Sequence, residues 1–263
     1  MEKHIISQGK KLAYSTYGKG SPVMLVHGFG EDDKVWKIQV DALKKEYQLI
    51  IPQLPGTGGS AMTEELSMDS MATSLKNILD AEGIKNATII GHSMGGYITL
   101  AFAEKFSESL NGFGLFHSSS FADSEEKIAT RKKGIALIKE KGGHAFLKTA
   151  TPNLFSDKTK DERPELVAEQ LEQAGSISDL SLVSYYEAMI SRPDRTEVLR
   201  KTKIPVLFTM GKYDKAIPIS DSLQQCHLPE KSYIHILDQS GHMGMIEEPE
   251  KSNSILKNFL SAV

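Results

Sequence analysis

The sequence predicts an α/β fold in which helices flank a mostly parallel sheet. Three apolar runs of strand length, residues 22–26, 87–90 and 204–210, are separated by segments whose apolar residues recur at helical spacing. Each run leads directly into a short segment rich in glycine and polar residues. In a parallel sheet these segments meet at the carboxyl edge of the strands, where open α/β sheets bind their ligands.

The first half of the chain alternates strand and helix patterns. Two short runs at residues 4–6 and 12–17, separated by Gly9, predict a β-hairpin. Apolar spacing then predicts, in chain order, a helix over 33–47, a strand at 49–51, a helix over 68–81, the strand at 87–90, a helix from 97 and a strand at 110–116.

The alternation stops between residues 121 and 197, where only helical patterns occur, interrupted by Pro152, Pro164 and Pro193. Strand patterns return at 204–210 and 233–237, and a helix around 255–260 ends the chain. We therefore expect residues 1–120 and 198–263 to form an α/β core. Residues 121–197 are expected to form an inserted α-helical cap over the edge of the sheet that carries the site.

The pentapeptide GHSMG at residues 91–95 is the clearest functional pattern. It lies between a predicted strand and a predicted helix, the context of a nucleophile elbow. The turn is so tight that side chains at residues 91 and 95 would collide, and glycine at both positions removes the clash. Ser93 is therefore the candidate nucleophile.

A serine hydroxyl needs a neighbouring base, and the base needs a carboxylate to hold it in one tautomer. His242 is the candidate base because it follows Gly241 on a short loop after the 233–237 strand. Asp214, just after the 204–210 strand, is the favoured acid. Asp123, after the 110–116 strand, and Asp238, close before His242, are the alternatives.

With these motifs the chain resembles the α/β-hydrolase superfamily, in its capped, serine-nucleophile esterase-like branch. The resemblance rests on the elbow, HGFG at 27–30, LPGTGGS at 54–60, GKYD at 211–214 and GH at 241–242. It implies an eight-stranded, mostly parallel sheet and a triad of Ser93, His242 and Asp214. It also implies an oxyanion hole in which the Phe29 N–H joins that of Met94 at the start of the elbow helix. Gln53 departs from the family, which usually has aspartate there.

The resemblance implies hydrolysis of a small to medium carboxylic ester, or a similar acyl bond, through an acyl-enzyme. C–C bond hydrolysis, lyase action and cofactor-free peroxidation are alternatives in the same fold, as is a small-molecule receptor that keeps the triad. No cofactor is expected, and no group of residues has convincing metal-binding spacing. Serine at the elbow argues against the dehalogenase and epoxide-hydrolase branches, which use aspartate there.

The composition of the chain limits the classes of binding partner and the cellular location that we expect. The net charge of −3 over 263 residues gives no basic field for nucleic acid, and no apolar run has the length of a membrane span. The start lacks a signal-peptide pattern, and Cys226 is the single cysteine, so a cytoplasmic setting is expected. We expect a small acyl substrate as the partner, and a monomer or a homodimer.

The substrate pocket is expected to be mainly apolar. His117 and Met243 are its candidate lining residues, since they follow the 110–116 strand and the base, respectively. The basic run at 131–133 is expected on a solvated face of the cap, which leaves no cation near the triad to pair a substrate carboxylate. Short to medium uncharged acyl groups are the expected substrates.

Overall fold

Eight strands form a single sheet in a computed structural model that describes residues 1–263. The strands are β1 (Glu2–Ser7), β2 (Lys10–Tyr17), β3 (Ser21–Val26), β4 (Tyr47–Pro52), β5 (Ala87–His92), β6 (Leu110–Phe116), β7 (Val206–Gly211) and β8 (Ser232–Leu237). Their order across the sheet is β1-β2-β4-β3-β5-β6-β7-β8. Strand β2 runs antiparallel to β1 and β4, and all other neighbours are parallel. The predicted mostly parallel, eight-stranded sheet is confirmed.

Twelve α-helices accompany the sheet. They are α1 (Lys37–Leu43), α2 (Met68–Ala81), α3 (Met94–Lys105), α4 (Glu125–Lys141), α5 (Gly143–Ala150), α6 (Asp157–Glu162), α7 (Pro164–Ala174), α8 (Asp179–Ser191), α9 (Thr196–Lys201), α10 (Ile219–Leu223), α11 (Gly244–Glu247) and α12 (Pro249–Leu260). Short 3-10 helices span Asp33–Trp36, Ser107–Ser109 and Thr151–Leu154. The helix predicted over 33–47 is thus divided, because the Asp32 side chain caps a 3-10 turn before α1 begins.

Apolar side chains cover both faces of the sheet. Helices α2 and α3 pack together over one face, and α1 and α12 pack together over the other. All six residues of β5 are buried, as expected for a central parallel strand with helices on both sides. The carboxyl end of β5, where the elbow begins, is therefore held by packing from two layers.

Helices α4 to α9 lie between β6 and β7 in the chain, where a helical insertion was predicted. Helices α4, α5, α7 and α8 share a small apolar cluster of their own, against which Phe29 packs. From α8, the Tyr185 hydroxyl donates to the Pro55 carbonyl at 2.7 Å, and Ser181 Oγ donates to the Gly56 carbonyl at 2.8 Å. The limits of the cap, residues 121–197, stay a prediction. None of the helices combines the length and apolarity needed to cross a bilayer.

Candidate active site

The serine at the centre of the elbow has a strained backbone. Ser93 joins β5 to α3 with φ 52° and ψ −116°, a conformation that is rare for any residue except glycine. A Cβ atom on Gly91 would collide with the Gly95 carbonyl, and one on Gly95 would collide with the carbonyls of Val26 and His27. The close approach of β5, α3 and β3 therefore requires both glycines. Ser93 itself is partly exposed, while its neighbours in the elbow are buried.

A buried carboxylate lies beside the candidate base. Nδ1 of His242 is 2.8 Å from Oδ2 of Asp214, whose other oxygen accepts the N–H groups of Ala216 and Ile217, each at 2.8 Å. Burial raises the pKa of Asp214, but the charge on His242 and bonds from His117 and His242 outweigh it and hold that pKa well below its usual range. Asp214 is thus ionised at neutral pH.

The two alternative acids are engaged elsewhere. Asp123 is buried between Arg131, at 2.5 Å, and Arg192, at 2.9 Å. Asp238 is exposed and pairs with Lys251 at 2.7 Å. Of the three carboxylates considered from the sequence, only Asp214 contacts His242.

Two backbone N–H groups near Ser93 have no acceptor in the protein. They belong to Phe29, in the loop after β3, and to Met94, the first residue of α3. The N-terminus of α3 carries the positive end of the helix dipole, which favours a developing negative charge there. These are the donors that the resemblance implied for an oxyanion hole.

The loop that carries Phe29 is bonded to the elbow through Glu31. The buried Glu31 carboxylate accepts the Gly28 N–H at 2.7 Å and lies 2.9 Å from Nδ1 of His92, while Nε2 of His92 lies 2.9 Å from the carbonyl oxygen of His242. Both ring nitrogens of His92 thus face oxygen acceptors. Burial raises the pKa of Glu31, but its interactions with His92 and the bond from the Gly28 N–H outweigh burial and lower that pKa overall. A buried chain of hydrogen bonds from Glu31 through His92 therefore connects the loop of Phe29, the elbow of Ser93 and the loop of His242.

Glu31→Gln is expected to lower the free energy of unfolding by about 1–3 kcal/mol, because it replaces a carboxylate oxygen that contacts Gly28 and His92 in a buried site by an NH₂ group, which cannot accept a hydrogen bond. Urea unfolding at pH 7 measures this change. Glu65→Gln removes the same charge from an exposed position and is the matched control. A loss of less than about 1 kcal/mol, similar to the control, would show that the Glu31 carboxylate does not stabilise these loops.

A second histidine, His117, also contacts the Asp214 carboxylate. Nδ1 of His117 lies 3.1 Å from Oδ2 of Asp214, and its backbone has φ 49°. Burial outweighs the attraction of Asp214 and lowers the pKa of His117 to about 4, so the ring is neutral and donates to Asp214. Neither His117 nor Met243 lines the cavity that contains Ser93 and His242. Both residues are buried, and their contact with substrate stays a prediction.

The ligand atoms of His117, Asp214 and His242 lie within 4.8 Å of one another, a spacing that also suits a metal ion. Here the spacing follows from the two Nδ1–H groups that donate to one carboxylate oxygen. The three side chains therefore form a proton-linked cluster around Asp214.

The cavity above Ser93 is less apolar than the sequence predicted. It has a volume of about 430 Å³, and Ser93 and His242 lie at its base with Phe29, Tyr97, Tyr186, Met189 and Ile217 on its walls. Three cations, Lys127, Arg131 and Lys215, also line it. The expectation that no cation lies near the triad was wrong, because α4 turns Arg131 inward from the basic run at 131–133.

A smaller chamber of about 80 Å³ adjoins the site and is also lined by Phe29, Tyr186 and His242. Gln170 of α7 contributes a buried side-chain oxygen to it that has no hydrogen-bond partner in the protein. Sequence reasoning missed Gln170 because nothing in its surroundings distinguishes it from the other polar residues of α7.

Gln53 stands where the family usually has aspartate, and its contacts are confined to its own loop. Its Oε1 accepts the Gly59 N–H at 2.6 Å and keeps that loop closed.

The pKa of His242 predicts how kcat/KM falls at low pH. Burial lowers the pKa of His242, but the Asp214 carboxylate outweighs it, so the pKa is raised above 6.5. Because a base must be neutral, kcat/KM for an uncharged ester is expected to fall about tenfold per pH unit below that pKa. Initial rates between pH 5 and 9 measure it. Constant kcat/KM down to pH 5 would contradict the assignment of His242 as base.

Comparison with known sequences decides the family. A sequence profile described as the alpha/beta hydrolase fold matches residues 21–249, which include the elbow, Asp214 and His242. The chain belongs to the alpha/beta hydrolase family. The resemblance drawn from the motifs is therefore confirmed, and so is the fold class.

Members of this family with known activities are similar to the whole chain. A 2-hydroxy-6-oxo-6-(2'-aminophenyl)hexa-2,4-dienoic acid hydrolase from Metapseudomonas resinovorans is 25% identical, over 99% of this chain and 91% of that enzyme. A 3-oxoadipate enol-lactonase from Acinetobacter baylyi is 28% identical, over 97% of this chain and 95% of its own length. A thermophilic esterase from Thermogutta terrifontis, solved with malate bound, superposes with a TM-score of 0.94 at 26% identity, over 100% of this chain and 98% of that one. These alpha/beta hydrolases differ in the bond that they cleave.

Proposed function

We propose that this chain is a serine hydrolase that cleaves small to medium carboxylic esters through an acyl-enzyme. The observation that carries the proposal is the arrangement around one cavity. Ser93 is presented on a strained elbow, His242 lines the same cavity, and Asp214 contacts the far nitrogen of His242 at 2.8 Å. Nucleophile, base and orienting acid in this relation form the arrangement of a serine hydrolase triad.

In the proposed reaction His242 Nε2 accepts the proton of the Ser93 hydroxyl as its oxygen attacks the ester carbonyl. The carbonyl oxygen becomes an oxyanion, which the N–H groups of Phe29 and Met94 stabilise. Each such donor contributes roughly 10²–10³-fold to kcat in serine hydrolases. His242 then protonates the leaving alcohol, and a water molecule, activated by the same histidine, releases the acid. Asp214 balances the charge of the imidazolium in both halves of the reaction.

The similarity to an esterase over the full chain supports ester cleavage. Hydrolysis of a C–C bond is the second candidate, because a dienoic acid hydrolase is similar to 99% of this chain. Such chemistry requires a ketonic substrate in the same pocket. The two candidates share Ser93 and His242 and differ in the substrate, so substrate trials distinguish them.

The experiment is a set of parallel assays on the purified chain. p-Nitrophenyl acetate, butyrate and hexanoate represent esters, a simple lactone represents ring opening, and a vinylogous diketone represents C–C cleavage. A fluorophosphonate is expected to label Ser93 and no other residue, which mass spectrometry of the digest shows. Turnover of the diketone with no ester activity would replace the proposal by the second candidate, and labelling elsewhere would remove Ser93 as the nucleophile.

A further inference from the structure

Two arginines share one carboxylate beside the cavity. The side chain of Asp123 is fully buried and pairs with Arg131 and Arg192, whose side chains are 17% and 4% exposed. Burial raises the pKa of Asp123, but the bonds and charges of the two arginines lower it overall, so the carboxylate is ionised. The cluster therefore carries one net positive charge in a site with little solvent.

That unbalanced charge belongs to the arginine that lines the cavity. Arg131 donates to Asp123 from Nε and Nη2, and its Nη1 has no acceptor in the protein. Both terminal nitrogens of Arg192 have oxygen partners, among them the backbone carbonyls of Met189 and Phe121. Only Arg131 thus offers a free terminal donor to a bound molecule.

The other charged groups around the cavity do not cancel it. Lys127 pairs with Asp221 at 3.2 Å. Lys215 shares Asp157 with Lys160, but its side chain is 57% exposed, so solvent screens its charge. Glu126 also lines the cavity, but its side chain is exposed to solvent, where its charge is screened. Burial raises the pKa of Tyr186 to about 12, so its hydroxyl is neutral and supplies no anion.

Aromatic stacking sets the position of Arg131 relative to the reaction centre. The guanidinium carbon lies 5.5 Å from the centre of the Tyr186 ring, and that ring stacks on Phe29 with centres 4.2 Å apart. The Tyr186 ring thus lies between Arg131 and Phe29, whose N–H is a proposed oxyanion donor. A short chain attached to the reacting carbonyl can span such a gap.

We propose that the preferred substrates are esters that carry a second, ionised carboxylate, and that Arg131 binds this carboxylate through Nη1. This inference rests on the proposed ester hydrolysis at Ser93. Guanidinium groups suit planar carboxylates, and a partly buried cation gains most from such a partner. The substrate class is therefore the monoesters of short dicarboxylic acids, with Arg131 as the residue that selects them.

The experiment compares two esters that differ only in charge. One is the mono-p-nitrophenyl ester of glutaric acid, and the other is the same compound with its free carboxyl methylated. The unmodified chain at pH 7.5 is expected to show a kcat/KM on the order of 10- to 100-fold higher for the charged ester, the size expected of a hydrogen bond to a charged group. Succinate and adipate monoesters then measure how long the connecting chain must be.

Arg131→Met is expected to remove this preference, so that the ratio of kcat/KM between the charged and the methylated ester falls to about one. Arg131→Lys keeps the ion pair with Asp123 and is expected to give an intermediate preference, which guards against loss of fold. Lys132→Met makes the same charge change on the exposed neighbouring residue and is the matched control. Preference for the methylated ester, or an equal loss on both esters in Arg131→Met, would overturn the inference. Failure to hydrolyse either ester would instead contradict the proposed function.

Discussion

Replacing Ser93 with alanine is expected to lower kcat on an uncharged ester by roughly 10⁴–10⁶-fold, because no other group in the cavity replaces the attacking oxygen. Alanine has the same backbone preferences as serine at φ 52°, so the fold is expected to stay intact. Stopped assays with long incubation measure the residual rate, and urea unfolding verifies the fold. Ser176→Ala makes the same change at an exposed serine and is the control. Unchanged turnover in Ser93→Ala would refute the serine-hydrolase proposal.

Asp214→Asn is expected to cost on the order of 10²–10⁴ in kcat, since it reverses the tautomer of the base. The N–H groups of Ala216 and Ile217 donate to Oδ1, so the oxygen of the new amide stays there and its NH₂ replaces Oδ2. That NH₂ faces Nδ1 of His242, which must then lose its proton. The proton moves to Nε2, the atom that has to accept from Ser93.

The other two carboxylates provide the controls for this prediction. Asp238→Asn, at an exposed pair with Lys251, is expected to leave kcat unchanged. Asp123→Asn is expected to cost less than about tenfold on an uncharged ester once corrected for folded fraction, because Asp123 does not contact His242. Steady-state rates of the three variants, measured side by side, rank the acids. A larger loss in Asp123→Asn than in Asp214→Asn would move the acid to the segment after β6.

The sheet and the elbow could be predicted from the sequence because their signals are local. Apolar runs of strand length mark β3, β5 and β7, and the two glycines around Ser93 are required by a collision that involves only the turn and its immediate neighbours. The choice of acid was less certain, since Asp123, Asp214 and Asp238 all follow strands at the same edge. Their hydrogen-bond partners, which depend on the fold, distinguish Asp214 from the other two, because only Asp214 contacts His242. Their catalytic roles stay predictions.

The residues that sequence reasoning missed have functions set by distant partners. Glu31 resembles any acidic loop residue until it is placed against His92, which is 61 residues away. Arg131 belongs to a basic run, and a charge alone does not say which face of a helix it occupies. Its spacing from Gly134 and Ile138, both buried, does place it on the inner face of α4 and was the available signal. Nothing comparable pointed to Gln170.

The contact between Glu31 and His92 affects which segments of the chain can change without disturbing the others. It joins the loop of Phe29, the elbow and the backbone of His242, so a change in any one of these segments disturbs the other two. Helix α4, which carries Arg131, contributes no hydrogen bond to this connection. Substitutions in α4 are therefore expected to alter which molecules enter the cavity while these three segments keep their geometry. Because Tyr186 of α8 stacks on Phe29, redesign is better begun in α4 than in α8.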